Sequence, residues 1–184
     1  MVPVVIAFGS NLGDREANIQ EAIGRIVDCG MWIMDLGDKS IQVLAASSFY
    51  ETAPMYVEDQ PTFLNGAILA ETDFSPRELL TMLKATEAQV GRHQGPRNGP
   101  REIDLDLITY GSLVYRWTSI HGLPLVIPHP RTEERRFVLE PLNEIAPCWV
   151  LPGKGPIAEL LQSPAVQSQA IRRLDHAPIS ISRV

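Results

Sequence analysis

The sequence predicts an α+β domain with a split βαβ core, and three observations predict it. A β-branched run from Val2 to Phe8 stops at Gly9 and gives way to apolar residues at helical spacing. A second apolar run, Phe63 to Glu71, leads into a marked helix start, Ser75-Pro76-Arg77-Glu78. A short strand with two carboxylates, Glu102 to Ile108, then emerges from a loop dense in glycine and proline.

Taken in order, the first strand ends in Gly9-Ser10-Asn11-Leu12-Gly13-Asp14, where Asp14 can cap a helix. The turn lacks the Gly-Lys-Ser/Thr ending of a phosphate loop and reads as a strand-to-helix connection. Ile19, Ala22, Ile23, Ile26 and Val27 form the apolar stripe of a helix over 15–28, stopped by Gly30. Residues 31–42 read as a variable connection, Val43 to Tyr50 as the second strand, and Glu51 to Thr62, with Pro54, Glu58, Asp59 and Pro61, as a long loop of the functional kind. In the third strand, Phe63 to Glu71, Gly66 marks a bulge or a close approach. The next helix buries Leu79, Leu80, Met82, Leu83 and Val90 and stops at Gly91. Glu87 sits in its last turn, where the helix dipole disfavours a carboxylate; it is either a solvated acid or one that serves a cation site. With the acidic strand as the fourth, the order is that of a ferredoxin-like sheet, antiparallel, with both helices on one face and the other face left uncovered for ligand.

Beyond this core, 112–122 is a second excursion and 123–130 is extended and bounded by prolines. Thr132 is placed to cap a short helix through Val138 and Leu139, and 155–161 to form another. Residues 1–162 are read as one domain and 163–184 as a C-terminal tail.

Bulk properties narrow the function. The chain has 184 residues and a net charge of −6, which argues against nucleic acid as the main partner. Basic residues gather only at 92–101 and at Arg131, Arg135 and Arg136, a pattern suited to a small anionic ligand. Two cysteines without metal-ligand spacing point to a reducing cytoplasm, and no run is long enough for a transmembrane helix.

The chemistry concentrates in Gly91 to Gly111. Arg92, Arg97 and Arg101 lie in a loop broken by Gly95, Pro96, Gly99 and Pro100, expected to be exposed and, as three cations without a counter-anion, loosely ordered. On the strand that follows, Asp104 and Asp106 share one face, their Cα atoms about 6.5–7 Å apart, while Ile103, Leu105 and Leu107 share the other. Two like charges on a strand repel and lose hydration, and a hard cation relieves both penalties. Mg²⁺ accepts carboxylate oxygens together with phosphates and water, and arginine forks suit phosphate oxygens. The stretch reads as a site for a nucleoside triphosphate held through Mg²⁺; an edge strand with solvated acids is the plain alternative.

Four segments carry a resemblance: GSNLGD at 9–14, SSFYETAP at 47–54 running into DQPTFLNGA at 59–67, RNGPREIDLDLI at 97–108, and IPHPRTEERRFVLEPLNEIAP at 127–147. In them the chain resembles the 6-hydroxymethyl-7,8-dihydropterin pyrophosphokinases of the folate pathway. The resemblance implies transfer of the β,γ-pyrophosphoryl group of ATP to the pterin hydroxymethyl oxygen, with AMP as the other product. It implies two Mg²⁺ on Asp104 and Asp106, phosphate contacts from Arg92 and Arg101, and ATP contacts from Glu87, Arg97, His129 and Arg135. Phe63 and Phe137 match the pair that sandwiches the pterin, Asn65 a hydrogen-bonding partner, and Thr52, Pro54 and Met55 the pocket wall. A cytoplasmic monomer with no nucleic-acid or membrane partner is expected. Asn98 departs from relatives that carry tryptophan there.

The residues alone leave other classes open. A different two-metal phosphotransferase or nuclease would use the same acid pair, and a ligand-binding module would share only the fold. Phe63 and Phe137 would serve equally as core residues.

Overall fold

The computed structural model describes residues 1–28, 39–55, 57, 59–93, 95–96, 98–118 and 124–175. The β-branched N-terminal run becomes β1 (Val2–Ser10), an inner strand of the main sheet. Its residues alternate faces: Val4, Ile6 and Phe8 enter one apolar cluster, Val5 and Ala7 another. β1 pairs antiparallel with β4 (Phe63–Thr72) on one side and with β5 (Asp104–Tyr110) on the other.

Two helices cover the Val4 face. α1 (Arg15–Val27) starts where Asp14 accepts from the Ala17 N–H at 3.1 Å. It ends at Val27 with Asp28 as the C-cap; Gly30, read as its stop, lies outside the described residues. α2 (Pro76–Val90) has the full capping box of Ser75 and Glu78, and it ends at Gly91 with φ of 106°. Ile19, Ile23, Leu79, Met82 and Leu83 then pack against Phe8, Leu64, Leu105 and Leu107. Burying each such side chain is worth about 1.5–3 kcal/mol, which secures the sheet from below.

The expected second strand is two strands, β2 (Ile41–Ala46) and β3 (Tyr50–Thr52), each paired with β4. Serines cause the break. Ser47 exchanges bonds with Ala67 through its N–H and its Oγ, while Ser48 turns its N–H and Oγ to Glu144, at 2.9 and 2.7 Å.

The face opposite the helices is not left uncovered along its whole length. α3 (Arg136–Ile145) lies across it, joining Val138, Leu139 and Leu142 to Val5, Ala7 and Ile108. The register of β5 explains the division: Asp104, Asp106 and Ile108 share this face, and only the apolar end is sealed. Thr132 does not cap α3. Its Oγ donates to the His129 carbonyl at 2.7 Å, closing the turn before a 3₁₀ segment, Thr132–Glu134, and α3 begins after Arg135 with no side-chain cap.

An antiparallel pair, β6 (Tyr115–Trp117) and β7 (Leu125–Ile127), flanks β5, and just beyond β7 the His129 N–H donates to the Ile108 carbonyl at 2.9 Å. The chain closes with β8 (Val150–Leu151), β9 (Gly155–Pro156), α4 (Ile157–Leu160), α5 (Pro164–Gln167) and β10 (Ile171–Arg173). β10 lies beyond the sequence boundary drawn at 162, yet it adds to the main sheet beside β3, with Arg172 paired to Glu51 and Arg173 to Glu144. Among the described residues no helix is long and apolar enough to cross a membrane.

Candidate active site

The unsealed end of the sheet opens into a cleft of about 640 Å³. Its floor is Gly9 of β1, which pairs with Asn65 of β4 on one side and with Asp104 of β5 on the other. At a strand spacing of 4.7–4.9 Å, Asn65 and Asp104 therefore face each other across roughly 10 Å, with no side chain between them.

One bank is charged. Asp104 accepts from Arg92 at 2.6 Å and from Arg101 at 2.7 Å, one arginine on each carboxylate oxygen. Burial works to raise the Asp104 carboxyl, but Arg101, Lys84 and Arg92 together outweigh it and hold it below the ordinary carboxylate range. Glu87 is 3% exposed. It accepts from the Leu105 N–H at 2.7 Å and pairs with Lys84 and Arg92, both at 2.6 Å. Burial still wins at Glu87 and pushes its carboxyl up, against the pull of Lys84 and Arg92. So Glu87 is not a solvated surface acid; it ties the end of α2 to β5 beneath the arginines. Asp106 is held more loosely, with Lys84 Nζ at 3.9 Å and His129 Nε2 at 3.8 Å. Burial lowers the pKa of the His129 imidazole and so favours the neutral ring, an effect partly countered by Asp106; its Nδ1 has no hydrogen-bond partner among the described residues.

The other bank is less polar. Phe63, Met55 and Thr52 come from β4, the 53–62 loop and β3, and Phe137 comes from the first turn of α3. Asn65 Nδ2 donates to Thr52 Oγ1 at 2.8 Å, which fixes the amide and leaves its carbonyl oxygen toward Gly9. The Arg135 guanidinium lies over the Phe137 ring at 5.7 Å.

The cleft thus gathers Thr52, Met55, Phe63, Asn65, Glu87, Arg92, Arg101, Asp104, Asp106, His129, Arg135 and Phe137 from separate stretches of chain. Pro54 does not line it, and Arg97 lies outside the described residues. The arginine loop is not a set of cations lacking counter-anions: Arg92 and Arg101 are already paired, because the strand that follows supplies Asp104 and the helix before it supplies Glu87. Lys84 was not picked out in the sequence. It lies one helical turn before Glu87, where the i, i+3 spacing could have signalled the pair. Gln60 was missed as well, and no local pattern points to it.

Fold and site together define a class: a ferredoxin-like α+β domain that gathers cations and carboxylates in one cleft beside an aromatic-walled compartment. The chain belongs to the 7,8-dihydro-6-hydroxymethylpterin-pyrophosphokinase (HPPK) family, whose profile matches residues 5–147. It is similar to the 2-amino-4-hydroxy-6-hydroxymethyldihydropteridine pyrophosphokinase of Bacillus subtilis, 39% identical over 140 residues, covering 76% of this chain and 75% of that protein. It is also similar to the mitochondrial folate synthesis bifunctional protein of Pisum sativum, 45% identical over 142 residues and 77% of this chain. The chain spans only 25% of that plant protein's length. In fold it matches the crystal structure of wild-type Plasmodium falciparum HPPK-DHPS with SDX-DHP, with a TM-score of 0.68 at 15% identity over 94% of this chain and 47% of that one.

Proposed function

We propose that the chain transfers the β,γ-pyrophosphoryl group of ATP to the hydroxymethyl oxygen of 6-hydroxymethyl-7,8-dihydropterin, releasing AMP and the pterin pyrophosphate. The observation that carries this reading is the strand register, which sets Asn65 and Asp104 on either side of Gly9. A flat polar ring bonded to Asn65 and stacked by Phe63 and Phe137 would point a short exocyclic alcohol at a triphosphate lying along the Asp104 bank.

The reading needs divalent metal. Among the described residues no group of three or more His, Cys, Asp or Glu side chains is placed to hold an ion. Two hard carboxylates completed by phosphate and water match the habit of Mg²⁺, so Asp104 and Asp106 fit, and we read the site as taking two ions with ATP. When bound, the metal neutralises and polarises phosphate oxygens. The chain's own residues do the rest. Arg92 and Arg101 exchange the Asp104 oxygens for phosphate oxygens, with Glu87 anchoring Arg92. His129, Arg135 and Arg97 are read as further ATP contacts. Asp104, held acidic by its arginines, is a weak base, and a loose phosphoryl-type transition state asks little of one. We read the chain as a monomer, and the cysteine-poor composition supports a cytoplasmic setting.

The decisive assay is AMP release from MgATP as a function of the pterin alcohol. AMP that appears only with the alcohol supports the proposal. AMP without it favours a nuclease-like enzyme, ADP a different kinase, and no product a binding module. A second experiment addresses the aromatic bank. Phe63→Ala or Phe137→Ala is expected to weaken pterin binding by on the order of 1–3 kcal/mol, the scale of a base–aromatic stack, with little change for a MgATP analogue. Calorimetry that returns equal losses for both ligands would assign the rings to core packing.

A further inference from the structure

None of the residues of β10, Ile171, Arg172 and Arg173, lines the cleft, yet the strand lies one place away from groups that do. β3 is only three residues long and runs between β4 and β10, with Ile171 opposite Thr52, Arg172 opposite Glu51 and Arg173 opposite Tyr50. Just beyond, the Leu174 N–H donates to the Phe49 carbonyl at 2.8 Å. Antiparallel pairs alternate between bonded and unbonded, so Arg172 and Glu51 form the next bonded pair, and Ile171 takes the close, unbonded position beside Thr52.

The two arginines of β10 lie on opposite faces of the sheet, and each meets an acid there. Arg172 pairs with Glu51, which also accepts from Arg15 of α1 at 3.0 Å and from Thr62 Oγ1 at 3.2 Å. Arg173 donates to Glu144 of α3 at 2.8 Å, and the same carboxylate accepts from the Ser48 N–H, from Ser48 Oγ and, at 3.0 Å, from the Tyr50 hydroxyl. Glu144 sits in the last turn of α3, where the helix dipole disfavours an acid, and these donors account for its place there. Each exposed pair contributes little by itself. Joined to the backbone ladder, they hold β3 to the layers on both sides of the sheet.

β3 in turn holds the polar end of the aromatic-walled bank. Thr52, 8% exposed, takes the Asn65 Nδ2 bond at 2.8 Å and so decides which way that amide faces. Without β10, β3 would be an edge strand of three residues, prone to fray, and Thr52 would lose the neighbour on its outer side. We propose that β10 is a positioning element for the ring-binding half of the site: it braces β3 so that Thr52 keeps the Asn65 carbonyl turned toward the floor of the cleft. The inference rests on the pterin reading of that half. It concerns one ligand only, because β5, which carries Asp104 and Asp106, stands at the other end of the strand order.

Two variants disturb β10 by different routes. Arg172→Pro removes the N–H of a bonded pair. Arg173→Glu sets a like charge against Glu144, and Arg173→Lys, which keeps the attraction, is the control. Each is titrated by calorimetry with 6-hydroxymethylpterin and, separately, with a non-hydrolysable ATP analogue plus Mg²⁺, and each is melted. The expected result is pterin affinity weakened about three- to tenfold in Arg172→Pro and Arg173→Glu, the scale of one well-placed hydrogen bond, with affinity for the ATP analogue unchanged and Arg173→Lys indistinguishable from the unaltered chain. A purely structural role would lower the melting temperature while weakening both ligands alike or neither, and either pattern overturns the proposal. So does a loss of folding in both variants at the temperature of the titration, which would make β10 part of the core. An unaltered chain that binds no pterin overturns the proposed function instead, and the two failures are distinct.

Discussion

Asp106→Asn is expected to lower AMP formation by about 10³-fold or more, since it removes several kcal/mol of charge stabilisation at the transferring group. The fold should be nearly untouched. Among the described residues Asp106 makes only long contacts, 3.9 Å to Lys84 and 3.8 Å to His129, and partly exposed pairs of this kind contribute little to stability. Asp104→Asn should cost as much activity but is a less clean experiment, because it also loosens Arg92 and Arg101 from their pairing with this carboxylate. Turnover is measured at saturating pterin over a range of Mg²⁺, with a thermal melt as the control for folding. In parallel, Mn²⁺ binding in the presence of the ATP analogue should fall in both variants. Near-normal turnover of either variant at low Mg²⁺ would remove the carboxylates from the metal site.

The sequence carried the local half of this architecture. Caps, stops and periodicities are written within a few residues of where they act, so Asp14, the Ser75–Glu78 box and Gly91 read directly as helix ends. The alternation along 103–108 placed the two aspartates on one face without any tertiary information. What stayed hidden depends on partners far along the chain. The burial of Glu87 is decided by the Leu105 N–H, 18 residues away, and by arginines from the next loop. Ser48 breaks a strand because Glu144, 96 residues on, offers its backbone a better partner. The role of α3 in sealing half of the ligand face follows from packing alone. Arg92 and Arg101 were legible as candidates for binding phosphate, but their pairing with Asp104 needs the loop to turn back over its own strand.

Two glycines on neighbouring strands give the last expected result. Gly66 and Gly9 face opposite sides of the sheet, and a methyl group at each should fail differently. At Gly66 an added Cβ would lie 2.2 Å from Phe8 Cζ, 2.5 Å from Cε2 and 2.9 Å from Ser47 Oγ. The Phe8 ring is 3% exposed and stands edge-on to Phe49 at 6.3 Å, so it has no open direction in which to retreat. Gly66→Ala should therefore carry the penalty of an overpacked core, about 1–3 kcal/mol or more, a drop in melting temperature of roughly 2–12 °C for a chain of this size. At Gly9 the added Cβ would lie 2.8 Å from Asn65 Oδ1. That atom ends a short side chain, but its amide is held to Thr52 at 2.8 Å, so it can move only by giving up that bond. Gly9→Ala should melt close to the unaltered chain and bind the MgATP analogue, yet lose pterin affinity as the floor fills and Asn65 turns. The pair separates the two faces of β1 in one experiment. If Gly66→Ala spared stability, the close approach of Phe8 to β4 would be wrong. If Gly9→Ala bound pterin normally, the ring would have to sit away from Asn65, and the strand register could no longer account for how the two substrates meet.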